Sequence, residues 1–308
     1  SAWLKVEDSA INSLQIELGK STVSWLLTEQ EKSLTLAQGQ LLLLNRTGER
    51  SFTMFSTPLV MQVNDALAQE VILTVTKKAD DFIAHLSAID LAVISQLPPL
   101  FIASEPQQEL LQGLAFKGKL DDIFIRYQQG ELAVLADFSG ISNDYSHGIP
   151  GIENVSGKLS FVDNYLSLNL LAEQGNVDFN RHFESPFSYQ TITAQADIEL
   201  NSQGWSLTVN QLELLSEAIN LSTQLTLNAP KKSDMTLALL ADITDGDAGM
   251  VGKYLPLSIM SENLVTYLNK GIISGRLEQA QVLLNGPLAN FPYTDGTGIF
   301  VVNAELTD

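Results

Sequence analysis

Three histidines, His85, His147 and His182, are the chain's whole supply of imidazole, and cysteine is absent. A hydrolase needs a nucleophile, a base and a group that orients the base. One stretch gathers such residue types, Asn143-Asp144-Tyr145-Ser146-His147-Gly148. Triads are assembled by folding rather than by adjacency, and this stretch is written in turn residues, so it reads as a loop. His182, beside Arg181 and close to Glu184, reads as a surface residue, and His85 as a solvated or satisfied residue rather than a ligand. Asp242, Asp245 and Asp247 around Gly246 share part of a calcium loop's spacing. They lack the distal glutamate that completes an EF-hand, and a helix cap accounts for them better. Asp121-Asp122 reads as a hairpin turn, and the glycines are scattered at turns with no phosphate-binding loop. The expectation is a protein that is not an enzyme and uses no cofactor and no metal.

Composition narrows the class. Thirty-six acidic residues against 17 basic ones give a net charge of −19 over 308 residues. That excess argues against nucleic acid, whose binding rests on Lys and Arg neutralising phosphates, and against broad docking on an anionic membrane. Its ordinary consequence is solubility. Without cysteine there is no disulfide framework and no thiolate metal site, which is compatible with an oxidising compartment. No apolar run approaches the roughly 18 residues a spanning helix needs. The length suits about two average domains. Ser1 in the place of Met points to a processed piece, with Ser1-Ala2 a cloning remnant, and the strand pattern running up to Asp308 points to continuation beyond it.

The elements that would position any site are strands. In 219–228, Ile219, Leu221, Thr223, Leu225 and Leu227 alternate with Asn220, Ser222, Gln224, Thr226 and Asn228. Side chains alternate across a strand with period two, so one face is apolar and the other polar. The pattern recurs at Leu166, Leu168 and Leu170, at Ile192, Ala194, Ala196, Ile198 and Leu200, and at Met235, Leu237, Leu239 and Ala241. Strands of this kind belong to antiparallel sheets with one solvated face. Earlier in the chain, Leu14-Ile16-Leu18, Val23–Leu27, Leu34–Leu36, Gln40–Leu44, Phe52–Phe55 and Val71–Thr76 read as strands, with Leu41–Leu44 buried on both faces.

Ile89, Leu91, Ile94 and Leu97 fit helical spacing up to Pro98-Pro99, and Ser104 to Gly113 carries a capping box and a closing glycine. Strand texture resumes at Leu114–Leu120, Ile123–Tyr127 and Leu132–Ala136, and Ser139 to Gly151 reads as a loop. Two short helices are expected between Asp247 and Lys270, and strands at Leu277–Leu284 and Ile299–Leu306. The division expected is a β block over 1–113 ending in a short helical insert, then a β segment over 114–308 with two short helices near 247–270, together one continuous elongated unit.

Several segments resemble a known family. Phe116-Lys117-Gly118-Lys119-Leu120-Asp121-Asp122-Ile123, Asp137-Phe138-Ser139-Gly140-Ile141-Ser142 and the run from Ile149 to Ser160 are similar to the large AsmA-like proteins of Gram-negative bacteria, of the YhdP type. Tyr254-Leu255-Pro256, Met260–Leu268 and Gly286–Tyr293 continue the likeness in order and spacing, over about two thirds of the chain, while the N-terminal third matches in texture alone. The resemblance implies a bridge-like lipid-transfer protein of the periplasm and cell envelope, anchored in the inner membrane. Its strands would curl into a groove with an apolar lining, and it would move phospholipid from inner to outer membrane. The implied fold is mainly β, an elongated, curled antiparallel sheet forming an apolar groove with a few short helices.

The candidate lining is Leu159, Phe161, Leu166, Leu168, Leu170, Ile198, Leu200, Leu207, Val209, Ile219, Leu221, Leu225, Leu227, Met235, Leu237 and Leu239. The partner it would hold is phospholipid acyl chains, with envelope proteins as further partners. The residues alone favour a closed sandwich core, which alternates in the same way and would make the chain a structural or interaction module of the envelope; the resemblance is what favours the groove.

Overall fold

The computed structural model describes residues 1–7, 10–27, 30–45, 51–64, 69–94, 113–147, 149–247, 249–250, 253, 265–266, 270 and 274–307. Among these the chain is mainly β, with nineteen strands, one four-residue helix and short 3-10 turns, and the strand pairings are antiparallel. Contacts divide it into two units, Ser1–Ile141 with Lys158–Asp163, and Ser142–Gly157 with Asn164–Asp308.

The first unit contains β1 (Ala2–Glu7), β2 (Ala10–Leu18), β3 (Ser21–Leu27), β4 (Gln30–Asn45), β5 (Ser51–Ser56) and β6 (Leu59–Val63). These are followed by β7 (Gln69–Val71), β8 (Leu73–Lys78), β9 (Asp81–Asp90), α1 (Leu91–Ile94), β10 (Lys117–Gln128) and most of β11 (Glu131–Asn143). The two pieces expected at Leu34–Leu36 and Gln40–Leu44 are one strand, β4. Its first half pairs with β3 and β6, and its second half with β2 and β5. Gly39 marks the changeover, where a Cβ would stand 2.4 Å from Leu59 Cδ2. Leu42 and Leu44 are 38% and 40% exposed, so Leu41–Leu44 alternates in the ordinary way and is not buried on both faces. Val63, Val71, Ala84, Val93, Leu114 and Ile123 are buried.

Tertiary pairing overrides two local signals here. Of the residues with helical spacing, Ile89 lies in β9, which ladders with β8 as far as Leu86 and with β10 as far as Asp90; Leu91–Ile94 is helical, and Leu97 lies outside the described residues. The β8 ladder ends at Leu86, and the β10 ladder, which continues through Ile89 and Asp90, keeps the backbone extended up to Leu91. Asp121-Asp122 is not a hairpin turn but lies inside β10, with Asp122 at φ +47°. The helix expected from Ser104 lies outside the described residues, as does most of 247–270; Asp247 itself ends a strand.

The second unit is a meander. After the start of β12 (Gly151–Val162) come β13 (Tyr165–Asp178), β14 (Phe187–Asn201), β15 (Gly204–Leu215), β16 (Asn220–Pro230), β17 (Thr236–Asp247), β18 (Arg276–Pro287) and β19 (Ile299–Thr307). From β13 onward each strand pairs antiparallel with the next. The loop expected from Ser139 is shorter than it reads, because β11 runs on to Asn143.

Candidate functional site

Register converts the alternation into rows that cross the second unit. Leu168, Ala196, Val209, Leu225, Leu239, Leu284 and Phe300 stand opposite one another in successive pairs from β13 to β19. The next row is Leu170, Ala194, Leu212, Thr223, Ala241, Val282 and Val302, and the one after it Ala172, Ile192, Leu214, Leu221, Ile243, Ala280 and Ala304. On the other side Leu166, Ile198, Leu207, Leu227 and Leu237 lead to Gly286. Paired strands stand about 4.8 Å apart, so seven of them carry hydrocarbon over about 29 Å. Thr223 is the one polar member, and its hydroxyl donates to Leu240 O at 2.9 Å. The opposite face is mostly polar, apart from the exposed Leu240, Leu283 and Val301, which pair in one row; Asp242 accepts from Gln281 there at 2.8 Å. A concavity of about 390 Å³ lies largely on that side, around Thr193, Glu213, Ser222 and Asp242.

Two residues of β15 break strict alternation. Val209 pairs with Ala196 and Leu212 with Ala194, so Asn210 and Gln211 face Gln195 alone. This is a β-bulge, one extra residue on one strand. It moves the apolar positions of β15 from odd to even numbers, so Leu212 and Leu214 join the same face as Leu207 and Val209. Asn210 Nδ2 anchors the bulge by donating to Asp197 Oδ2 at 2.8 Å. Alternation alone missed Leu212 and Leu214; the signal in the sequence is the polar pair Asn210-Gln211 between two apolar runs. Ile192, Ile243, Val282 and Leu284 also belong to the face and follow from register.

Of the sixteen residues named from the sequence, register places Leu166, Leu168, Leu170, Ile198, Leu207, Val209, Leu221, Leu225, Leu227, Leu237 and Leu239 in these rows. Leu200 faces Trp205 at the strand ends. Ile219 lies in the turn before β16, held by Ser216 Oγ, which accepts from its N–H at 3.0 Å. Met235 lies just before β17, and Leu159 and Phe161 fall in the first unit. Val209 is buried, Leu200 and Met235 are exposed, and the other thirteen are half-buried.

The chemistry-bearing residues are not assembled. Ser146 Oγ lies 2.8 Å from His147 Nδ1, but His147 is an exposed turn residue at φ +50°. His85 Nε2 lies 3.5 Å from Asp122 Oδ1 without a hydrogen bond, and its ring packs on Phe124 at 4.4 Å. Asp245 is paired with Arg276 at 2.6 Å, and Asp242 lies mid-strand, so a helix cap explains neither. Asp247 does accept a backbone bond from Gly249 at 2.8 Å. Among the described residues no group of three His, Asp or Glu side chains comes together to hold a metal, and no helix is long and apolar enough to cross a membrane.

An antiparallel meander with one hydrocarbon face and one polar face defines a mainly-β protein built around an apolar sheet surface. A family profile described as YhdP protein matches residues 1–308, and the chain belongs to that family. The match includes the N-terminal third, which resembles the family only in texture. The chain is also similar to a protein of Escherichia coli (strain K12) named intermembrane phospholipid transporter YhdP. The two are 23% identical over 322 residues, covering 99% of this chain and 25% of that protein, so the chain spans about a quarter of its relative's length.

Proposed function

We propose that this chain is a periplasmic segment of a phospholipid conduit between the inner and outer membranes of a Gram-negative bacterium, within a protein tethered to the inner membrane. Acyl chains lie on the apolar face of β13–β19, and no bond is made or broken. The observation that carries this reading is the set of aligned hydrocarbon rows whose leucines are half-buried. A closed sandwich core would bury Leu221, Leu225, Leu227, Leu237 and Leu239, yet each keeps part of its surface open. The width of about 29 Å matches the roughly 30 Å hydrocarbon core of a bilayer, which is two acyl chains end to end. A lining of Leu, Ile and Val offers no directional bonds, so a chain partitions in at about 0.8 kcal/mol per CH₂ and slides freely. The name of the Escherichia coli relative supports the same cargo.

The competing reading is a structural envelope module with a closed core. Leu221→Glu separates the two, with Gln224→Glu on the polar face as control. On an open face the new carboxylate reaches water in the lipid-free protein, so Leu221→Glu folds, stays soluble and co-purifies with less phospholipid by extraction and mass spectrometry. In a closed core an unpaired charge is not tolerated, and the protein fails to fold while the control is normal. That outcome, or wild-type protein that neither carries nor takes up lipid, ends the conduit reading.

A further inference from the structure

At one end of the strands the apolar face meets two hairpins, and their chemistry differs from that of the other end. The turn between β14 and β15 is closed by Asn201, whose Oδ1 accepts from Gln203 N at 2.9 Å. The turn after β16 is tied to it, because Lys231 N donates to Gln203 O at 2.7 Å. At this corner Trp205, 38% exposed, stands on the apolar face between Leu200 and Ala229. Met235, also 38% exposed, and Leu288, 37% exposed, are joined by the bond from Leu288 N to Met235 O at 2.9 Å. Lys231 and Lys232 are the only adjacent pair of cations in the second unit, and both are exposed. No carboxylate lies within ion-pair distance of either among the described residues; Asp234 follows on the same hairpin, and Glu199 lies exposed on β14. At the opposite strand ends and their connections stand Asp178, Glu184, Glu217, Asp245, Asp247 and Glu278 with Arg181, Lys253, Lys270 and Arg276, the last held by Asp245 at 2.6 Å.

We propose that this rim, Trp205 with Lys231 and Lys232, holds the phosphate of a phospholipid headgroup whose acyl chains lie on the apolar face. The proposal rests on the acyl-chain reading above. Trp is favoured where an apolar surface meets water, because its ring is apolar and its indole N–H still needs an acceptor. Lysine keeps its ammonium in water while its stem lies along apolar surface. The two together suit an anion attached to a hydrocarbon tail. In a chain of net charge −19, two adjacent exposed lysines beside the exposed end of the apolar face offer an anion a paired cationic contact, in the company of Glu199, Asp234 and Asp295.

The test compares phosphatidylglycerol with diacylglycerol of identical acyl chains, both fluorescent, loaded onto the purified chain. Wild type, Lys231→Gln with Lys232→Gln, and Lys231→Arg with Lys232→Arg are measured at low and high salt. Two exposed cations contribute modestly, so the glutamine variant should retain about threefold to tenfold less phosphatidylglycerol, with diacylglycerol unchanged. The arginine variant should stay near wild type. The wild-type preference for phosphatidylglycerol should shrink between about 50 mM and about 500 mM salt as screening tightens. Equal phosphatidylglycerol retention by the glutamine variant, or a matched loss of diacylglycerol, overturns the rim assignment and leaves the acyl-chain reading standing. Wild type that retains neither lipid overturns both.

Discussion

Two buried tyrosines lie over glycines and end differently. Tyr189 covers Gly175, where a Cβ would stand 2.5 Å from its Oη, and its hydroxyl donates to Glu153 O. Tyr293 lies over Gly286 and Gly298, both in line with the apolar rows, and its hydroxyl has no partner among the described residues. Burial pushes both phenols above their ordinary value, with the Glu153 carboxylate adding to the effect at Tyr189. Removing a satisfied donor loses a part-buried hydrogen bond, whereas removing an unsatisfied hydroxyl removes a penalty. Tyr189→Phe should therefore cost about 0.5–1.5 kcal/mol, and Tyr293→Phe should be neutral or slightly stabilising. Urea midpoints check the pair; a Tyr293→Phe loss as large as that of Tyr189→Phe would mean the Tyr293 hydroxyl has an acceptor after all.

At the scale of elements, hairpin closure depends on backbone approach. Gly204 begins β15 at φ +152°, and a Cβ there would stand 2.2 Å from Ala229 O and 2.8 Å from Pro230 Cα. Neither neighbour is a side chain that can swing aside, so any substitution pushes β15 from β16 at the corner that Lys231 closes. Gly204→Ala should destabilise by about 2 kcal/mol or more and speed amide exchange at Lys231. Gly19, with nothing within 4 Å of its Cβ position, should accept alanine with little effect. Unchanged exchange at Lys231 in Gly204→Ala would show that the corner yields without strain.

For the whole molecule, phospholipid held on the half-buried apolar face, as proposed, would stabilise the fold by mass action. A ligand that binds only the folded state stabilises by RT ln(1 + [L]/Kd), about 2.7 kcal/mol at a hundredfold excess over Kd. Delipidated protein should melt at progressively higher temperature as phospholipid is added, and Leu221→Glu should show a smaller rise. A melting temperature independent of lipid in both proteins would place the face in a closed core.

The sequence by itself determined the β class and the identity of the apolar face, because period-two alternation at Leu221–Leu227 or Ile192–Leu200 is a local consequence of the extended backbone. It also determined the family likeness, carried by the segments from Phe116 to Tyr293. It did not determine register. That three of the rows run from β13 to β19 depends on which residues face each other, and on a bulge at Asn210-Gln211 that shifts the parity of β15 in mid-strand. Nor did it determine the end of β9, where the ladder with β10 outweighs helical spacing at Ile89. The interior of Asp121-Asp122 within β10 is of the same kind. Such choices rest on contacts between residues far apart in the chain, whose energies no local window contains. The meeting of Trp205, Lys231 and Lys232 at one corner likewise came from pairing, since the β15–β16 ladder ending at Gly204 and Pro230 and the backbone bond from Lys231 to Gln203 put the two turns side by side.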